Sequence, residues 1–308
     1  MQIYYDANIK LSNTAVALGQ FDALHRGHIE IIKRTVEYAK ENNLKSLVYL
    51  FVNDPMEVIC GKTQMSVNTL SKRLEVLEET GVDIVVAQKF DEEFMLLSKT
   101  EFTEKYIFEK LDAKYVAAGF NYRFGKSGEG DTEFLEKECA KRNVKVDIVP
   151  EISYLGDRVS SSRIRCEIEN GNMETVTALM QRPFSVKGEV IRGNNIGEKI
   201  DFPTANMNMP VFQVAPKLGV YITQAVIGEK RYPAITNVGE RPTVENGKCF
   251  IETHIDGFSG NLYEKEIEVE FLKFIREINK FESLDELKDQ LNKDKCSMRN
   301  YFKGVVLK

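Results

Sequence analysis

Tryptophan is missing from this chain of 308 residues, and histidine occurs only three times. Without tryptophan, stacking on an aromatic ligand falls to 18 Phe and 12 Tyr. Five cysteines (Cys60, Cys139, Cys166, Cys249 and Cys296) stand far apart with no CxxC pair. An odd number without short spacing argues against a disulfide framework and a structural zinc site, so they read as reduced thiols. No apolar run approaches the roughly 20 residues of a membrane helix. The opening "MQIYYDANIK" lacks the basic-then-apolar pattern of a signal peptide, so the cytoplasm is the expected compartment. A basic excess is lacking too. With 42 Lys and Arg against 47 Asp and Glu, the net charge is −5. That does not suit a nucleic-acid backbone as main partner, although a nucleotide needs only a local cluster of donors. There is no internal repeat and no low-complexity tract.

What remains is the composition of a soluble globular protein, 43% hydrophobic and 29% charged, long enough for two domains. The first 180 residues alternate in style. "NTAVALG" (13–19), "KSLVYLFVN" (45–53), "VDIVVAQKF" (82–90), "AKYVAAGF" (113–120) and "VKVDIVP" read as continuous apolar strands. Between them lie helical patterns, the first with Ile29, Ile32, Val36 and Ala39 on one face. This alternation predicts an α/β domain on a mainly parallel sheet. From Ser185 the segments shorten and fill with turn residues ("SVKGEVIRG", "GVYITQAVIG", "KRYPAITNVG", "CFIETHI"), which predicts a small sandwich or barrel. A final helix follows, with Ser283 and Glu286 offering a capping box. The expected boundary lies near residue 182, giving domains 1–182 and 183–308.

Two of the three histidines sit in one stretch, "GQFDALHRGH" (19–28). A glycine-containing loop from a parallel strand into a helix is where such folds hold phosphates. His25 and His28 add donors that can follow a phosphate as it changes geometry. A metal pair is the weaker alternative, because HxxH here lacks the intervening Glu and third ligand of a zinc protease. "VSSSRIR" (159–165) packs hydroxyls and two guanidiniums into seven residues, suited to a polyphosphate clamp, although such a cluster alone is more often a solvated loop or helix start. In the second half, Gly193 and Gly197 let backbone amides approach a phosphate. Thr204 and Asn206 in "FPTAN" point the same way if extended, and such oxygens suit Mg²⁺ with ATP phosphates. In "CFIETHI", Phe250, Glu252 and His254 share one strand face. Partial burial there would raise the Glu252 carboxyl toward a useful base; the alternative is a half-exposed barrel glutamate. His254 reads as a strand-face histidine.

These stretches resemble, in order, the motifs of bacterial bifunctional riboflavin kinase/FAD synthetases. "GQFDALHRGH" is similar to the nucleotidyltransferase signature GxFDGxHxGH, with Ala23 at the second glycine. "GFNYRFGKSGEGD" (119–131) is similar to GxDFRFGxxxxGD, with Asn121 and Tyr122 at the Asp and Phe positions. "VSSSRIR" is similar to ISSTRIR, "DFPTAN" to GFPTAN with Asp201 for Gly, and "TNVGERPTVENGKCFIETHI" to NIGxRPTF…ExH. The resemblance implies a Rossmann-like nucleotidyltransferase domain followed by an all-β barrel with a C-terminal helix. It implies riboflavin, FMN and ATP as substrates with Mg²⁺, and leaves homo-oligomerisation open. His25, His28 and Arg163 would serve adenylyl transfer. Gly19, Phe21, Asp22, Gly27, Ser161, Ser162 and Arg165 would surround the ATP phosphates. Asn121, Tyr122, Arg123 and Phe124 would hold flavin. In the second half, Thr204 and Asn206 would bind the magnesium–nucleotide complex under a loop with Gly193 and Gly197, and Glu252 would be the general base. From "VNDPMEVI" (52–59), at a flavin-loop position, nothing carries over. Two rival readings are a chain with one catalytic half, the departures at Ala23 and Asn121 then marking the N-terminal half as the silent one, and a flavin- or nucleotide-binding regulator without turnover.

Overall fold

The computed structural model describes residues 1–6, 9–193, 202–240 and 249–304, and these divide into two compact units, Met1–Arg163 and Ile164–Lys308.

The first unit is built on six parallel strands: β1 (Gln2–Tyr4), β2 (Thr14–Leu18), β3 (Lys45–Phe51), β4 (Ile84–Gln88), β5 (Ala113–Gly119) and β6 (Lys145–Val149). Their order is β1-β4-β3-β2-β5-β6. Every residue of β2 and β4 is buried, as a sheet covered on both faces requires. Alternation sorts the side chains. Val16, Leu18, Tyr49, Val86 and Val116 face one core with Phe102, Tyr106 and Phe124. Ala15, Ala17, Val48, Val85 and Ala117 face the other, where Ile31, Ile32 and Val36 of the helix Arg26–Glu41 pack. The small alanines let that helix lie close to the sheet. Left-handed residues prepare the entry to the strands: Asn13, Asn43, Gly81, Asp112 and Asn143 have φ between 46° and 74°. At Asn43 the next amide, Leu44 N, donates to Ala39 O at 2.9 Å, closing the helix end in a Schellman turn. The sequence did not signal β1, the hairpin β7 (Ser153–Tyr154) and β8 (Asp157–Arg158), or the π-helical winding of Phe102–Lys110.

The second unit is a nearly closed antiparallel barrel. Its strands are β9 (Phe184–Glu189), β10 (Ala205–Asn208), β11 (Gly219–Ile227), β12 (Lys230–Glu240), β13 (Cys249–Ile255) and β14 (Glu266–Arg276), in the order β10-β13-β12-β11-β14-β9. Just past β9, Ile191 N donates to Asn206 O at 2.8 Å and brings the two ends of the sheet together. Inside, the hydroxyls of Thr223, Thr236 and Thr253 form a chain with spacings of 2.8 and 2.9 Å, all fully buried. Outside, the helix Leu284–Lys303 lays Met298 on Phe202, Val220, Ile222 and Ile235. Asp294, also buried, holds it by a 2.7 Å bond from Arg276 Nη2 of β14. Ser283 caps this helix by accepting from Glu286 N, but the Glu286 carboxylate accepts from Glu282 N, so the expected reciprocal box is half formed.

Candidate active sites

In the first unit, β2 and β5 are neighbours, yet the chain leaves β2 toward β3 on the other side. This reversal of strand order opens a crevice at the carboxyl ends, where such sheets bind ligands. The turn 19–25 and the loop 120–131 both emerge there.

The turn is rigid for identifiable reasons. A Cβ on Gly19 would sit 2.9 Å from the Phe21 ring. Phe21 and Leu24 take left-handed φ of 50° and 47°, a conformation that their complete burial enforces. Ala23 is buried without a positive φ, so the freedom of a glycine is not used at that position. Asp22 is turned inward: its Oδ1 accepts from Val67 N and its carbonyl from Asn68 Nδ2, each at 2.9 Å. Arg73, buried on the helix Leu70–Glu79, donates to the carbonyls of Gln20, Phe51 and Val52 and so ties this turn to the exit of β3. Burial holds its guanidinium below the usual arginine range, against the pull of Asp22. Nothing in its sequence context distinguished Arg73 from a solvent-facing helix arginine.

His25 is the N-cap of the helix Arg26–Glu41, and its Nδ1 accepts from His28 N at 3.3 Å. In the neutral ring that assigns the proton to Nε2. The two imidazoles stack with centroids 3.7 Å apart, and Phe21 meets His28 edge-on at 5.2 Å. Gly27 lies in the first helical turn, which carries no acidic side chain. A helix start without a competing carboxylate attracts an anion.

The β7–β8 hairpin joins this turn to the other predicted segments. Arg26 lies over the Tyr154 ring at 5.1 Å, and Arg158 over Phe120 at 4.9 Å. Arg163 Nη1 donates to Tyr154 O and Asp157 O at 3.1 and 3.0 Å, bracing the hairpin from the helix Ser161–Glu169. Ser161 and Arg165 on that helix are half-buried and Ser162 is exposed. In the loop 120–131, Phe124 is buried and stacks with half-buried Tyr122 at 5.5 Å, while Asn121 and Arg123 are exposed. Arg123 pairs with Asp131 at 3.3 Å. Burial raises the Tyr122 phenol above its ordinary value.

In the second unit, strand register assembles the site. Asn206 on β10 pairs with Glu252 on β13, and Glu252 with Asn237 on β12. Partners in register share a face, so the three form one row. Asn237 was not among the residues singled out from the sequence, because only the register brings it there. Asn206 Nδ2 donates to Thr204 O at 3.3 Å. Its Oδ1 is buried and has no hydrogen-bond partner among the described residues. A Cβ on Gly193 would fall on the Asn206 amide group, so the glycine makes the cradle in which it sits. Glu252 is half-buried. Gly197 and Asp201 lie outside the described residues.

Comparison with known proteins decides what these two sites belong to. The FAD synthetase family matches residues 8–163 and the riboflavin kinase family residues 180–302. The bifunctional riboflavin kinase/FMN adenylyltransferase of Escherichia coli (strain K12) is 33% identical over 93% of this chain and 92% of its own length. The chain belongs to the bifunctional riboflavin kinase/FMN adenylyltransferase family. Another relative in that family, from Bacillus subtilis (strain 168), is 29% identical over 96% of this chain and 94% of its own. A crystal structure described as a macrolide-efflux protein from Streptococcus pneumoniae has a TM-score of 0.87 at 30% identity, over 97% of this chain and 98% of that one. Its fold is thus that of the present family. Efflux is not carried over from that description, and among the described residues no helix is long and apolar enough to cross a membrane.

Proposed function

We propose that the chain makes FMN in its second half and FAD in its first, each from ATP. The kinase step begins at Glu252, which takes the proton of the riboflavin 5′-hydroxyl. The oxygen attacks the γ-phosphorus of ATP, and ADP leaves. Thr204 and Asn206 would hold Mg²⁺ with the ATP phosphates; the unsatisfied Asn206 oxygen supports this, since a buried acceptor without a partner is rare. The ion, when bound, supplies positive charge to the phosphates. Gly193 and Gly197 would bring backbone amides to the same phosphates.

In the first half, a phosphate oxygen of FMN attacks the α-phosphorus of a second ATP, and pyrophosphate leaves. The His25 Nε2–H and the His28 ring donate to the oxygens that gain charge, beside the amides of Gly19, Phe21, Asp22 and Gly27. Arg163 acts from the braced hairpin, with Ser161, Ser162 and Arg165 toward the pyrophosphate. Asn121, Tyr122, Arg123 and Phe124 receive the flavin. Both steps are displacements at phosphorus, where positioning and charge supply most of the acceleration. We set the functional division at residues 1–182 and 183–308, place the enzyme in the cytoplasm, assign it no nucleic-acid or membrane partner, and leave its oligomeric state to sedimentation.

The observation that carries this reading is the row Asn206–Glu252, in which the proposed magnesium ligand and the proposed base are register partners. The test is direct. The protein is incubated with ATP, Mg²⁺ and either riboflavin or FMN, and the flavins are separated by chromatography. FMN followed by FAD is expected from riboflavin, and FAD from FMN. FMN without FAD from either substrate would defeat the claim for the first half, and no FMN from riboflavin the claim for the second.

A further inference from the structure

His254, the third histidine, has no part in the chemistry above. It lies on β13 two residues beyond Glu252, and is only 6% exposed. Its ring stacks on Phe202, centroids 3.7 Å apart and planes 24° from parallel. Its Nδ1 is 3.0 Å from Pro203 O, and its Nε2 is 3.4 Å from Lys295 Nζ on the C-terminal helix. A lysine ammonium can only donate, so Nε2 accepts, and the proton of the neutral ring is on Nδ1 and is given to Pro203. The charged groups around it fit this state. Lys295 and Arg299 both bind Asp256, at 3.0 and 2.9 Å, so a charged imidazole would meet two cations and one carboxylate already shared between them. Burial likewise holds the His254 pKa below the usual imidazole value. Both ring nitrogens are engaged, which leaves the ring no catalytic task.

What His254 touches is the dipeptide immediately before Thr204. We infer that His254 is a positioning residue of the kinase reaction: its neutral ring fixes Phe202–Pro203 against the C-terminal helix and thereby places Thr204 and Asn206 opposite Glu252. The inference rests on the reading that Thr204 and Asn206 hold the magnesium–nucleotide complex.

The test uses the full chain, with thermal unfolding of the kinase unit and the KM for riboflavin as the measures that this unit is folded. His254→Phe keeps an aromatic ring against Phe202 but removes both nitrogens. Loss of one buried hydrogen bond of this kind is expected to raise the KM for MgATP in riboflavin phosphorylation about tenfold. The KM for riboflavin and the rate of FMN adenylylation should stay within about twofold. His254→Asn places an amide donor near the position of Nδ1 and should return the KM for MgATP to within about threefold of the original. An unchanged KM for MgATP in His254→Phe, a fall in kcat alone, or an asparagine variant as poor as the phenylalanine one would overturn the inference. If His254→Phe does not fold, Lys295→Met takes its place: it removes the donor to Nε2 and leaves the ring. A rise in the KM for MgATP is then expected, and no rise would overturn the link to the helix. Thr204→Ala, measured alongside, separates the two levels. If it leaves the KM for MgATP unchanged, the underlying assignment of Thr204 fails; if it raises that KM and His254→Phe does not, only the positioning role fails.

Discussion

At the scale of single residues, two substitutions should divide the activities. On the proposed mechanism Glu252→Gln removes the proton acceptor while keeping the shape. It should lower FMN formation by about 10²- to 10⁴-fold and spare conversion of FMN to FAD, as read from flavin products by chromatography. His28→Ala should do the reverse, by about 10²- to 10³-fold, the range for loss of one charge-stabilising donor. A third residue sets an acid limit. Asp256, held by Arg299 and then Lys295, titrates at about 2 against an ordinary 3.8. Its stabilising effect is complete above the ordinary value and is lost as pH falls toward 2. The stability gap between the original protein and Asp256→Asn, from urea midpoints, should therefore shrink between about pH 4 and pH 2 and stay constant above. A gap that persisted at the acid end would refute the assignment. The places of His25 and His28 where β2 turns into the first helix, and of Glu252 on a strand, were legible in the sequence, because each follows from a short local pattern. Arg73 and Asn237 were not. One depends on which face of a helix is buried, and the other on pairing between strands distant in sequence.

At the scale of elements, continuous apolar runs and helical periodicity announced most of the strands and helices of the first unit. They could not announce the strand order, and the order makes the first site: the crevice exists because β2 and β5 are neighbours while the chain runs from β2 to β3. The β7–β8 hairpin also went unread, since strands of two residues have no period to detect. Its contacts give it a task. Tyr154 takes Arg26 on its ring and Arg163 on its carbonyl, while Arg158 covers Phe120. Tyr154→Ala should therefore loosen the link between the histidine turn and Arg163. A drop of about tenfold in FMN adenylylation is expected, equivalent to one lost cation–π contact of about 1 kcal/mol or slightly more, with riboflavin phosphorylation unchanged. An unchanged rate of adenylylation, or a loss explained by a lowered melting temperature of the first unit, would dismiss the hairpin's role.

At the scale of the whole molecule, each unit has its own sheet and its own buried core. A fragment of residues 164–308 should accordingly fold and phosphorylate riboflavin at a rate within about threefold of the full chain. A fragment that folds yet is inactive would show that the kinase needs more than its own unit.

The parallel sheet has a further consequence, for engineering. Its carboxyl edge carries the histidine turn and the loop 120–131; its amino edge carries the left-handed residues Asn13, Asn43, Gly81, Asp112 and Asn143. Durability and chemistry are thus written on opposite rims and can be edited separately. Asn43→Gly with Asn143→Gly relieves two left-handed side chains and should raise the melting temperature of the first unit by about 2–4 °C, for a gain of about 1 kcal/mol. Adenylylation should not change. Heat tolerance could be selected along one rim while substrate preference drifts along the other, and neither search would erase the gains of its neighbour.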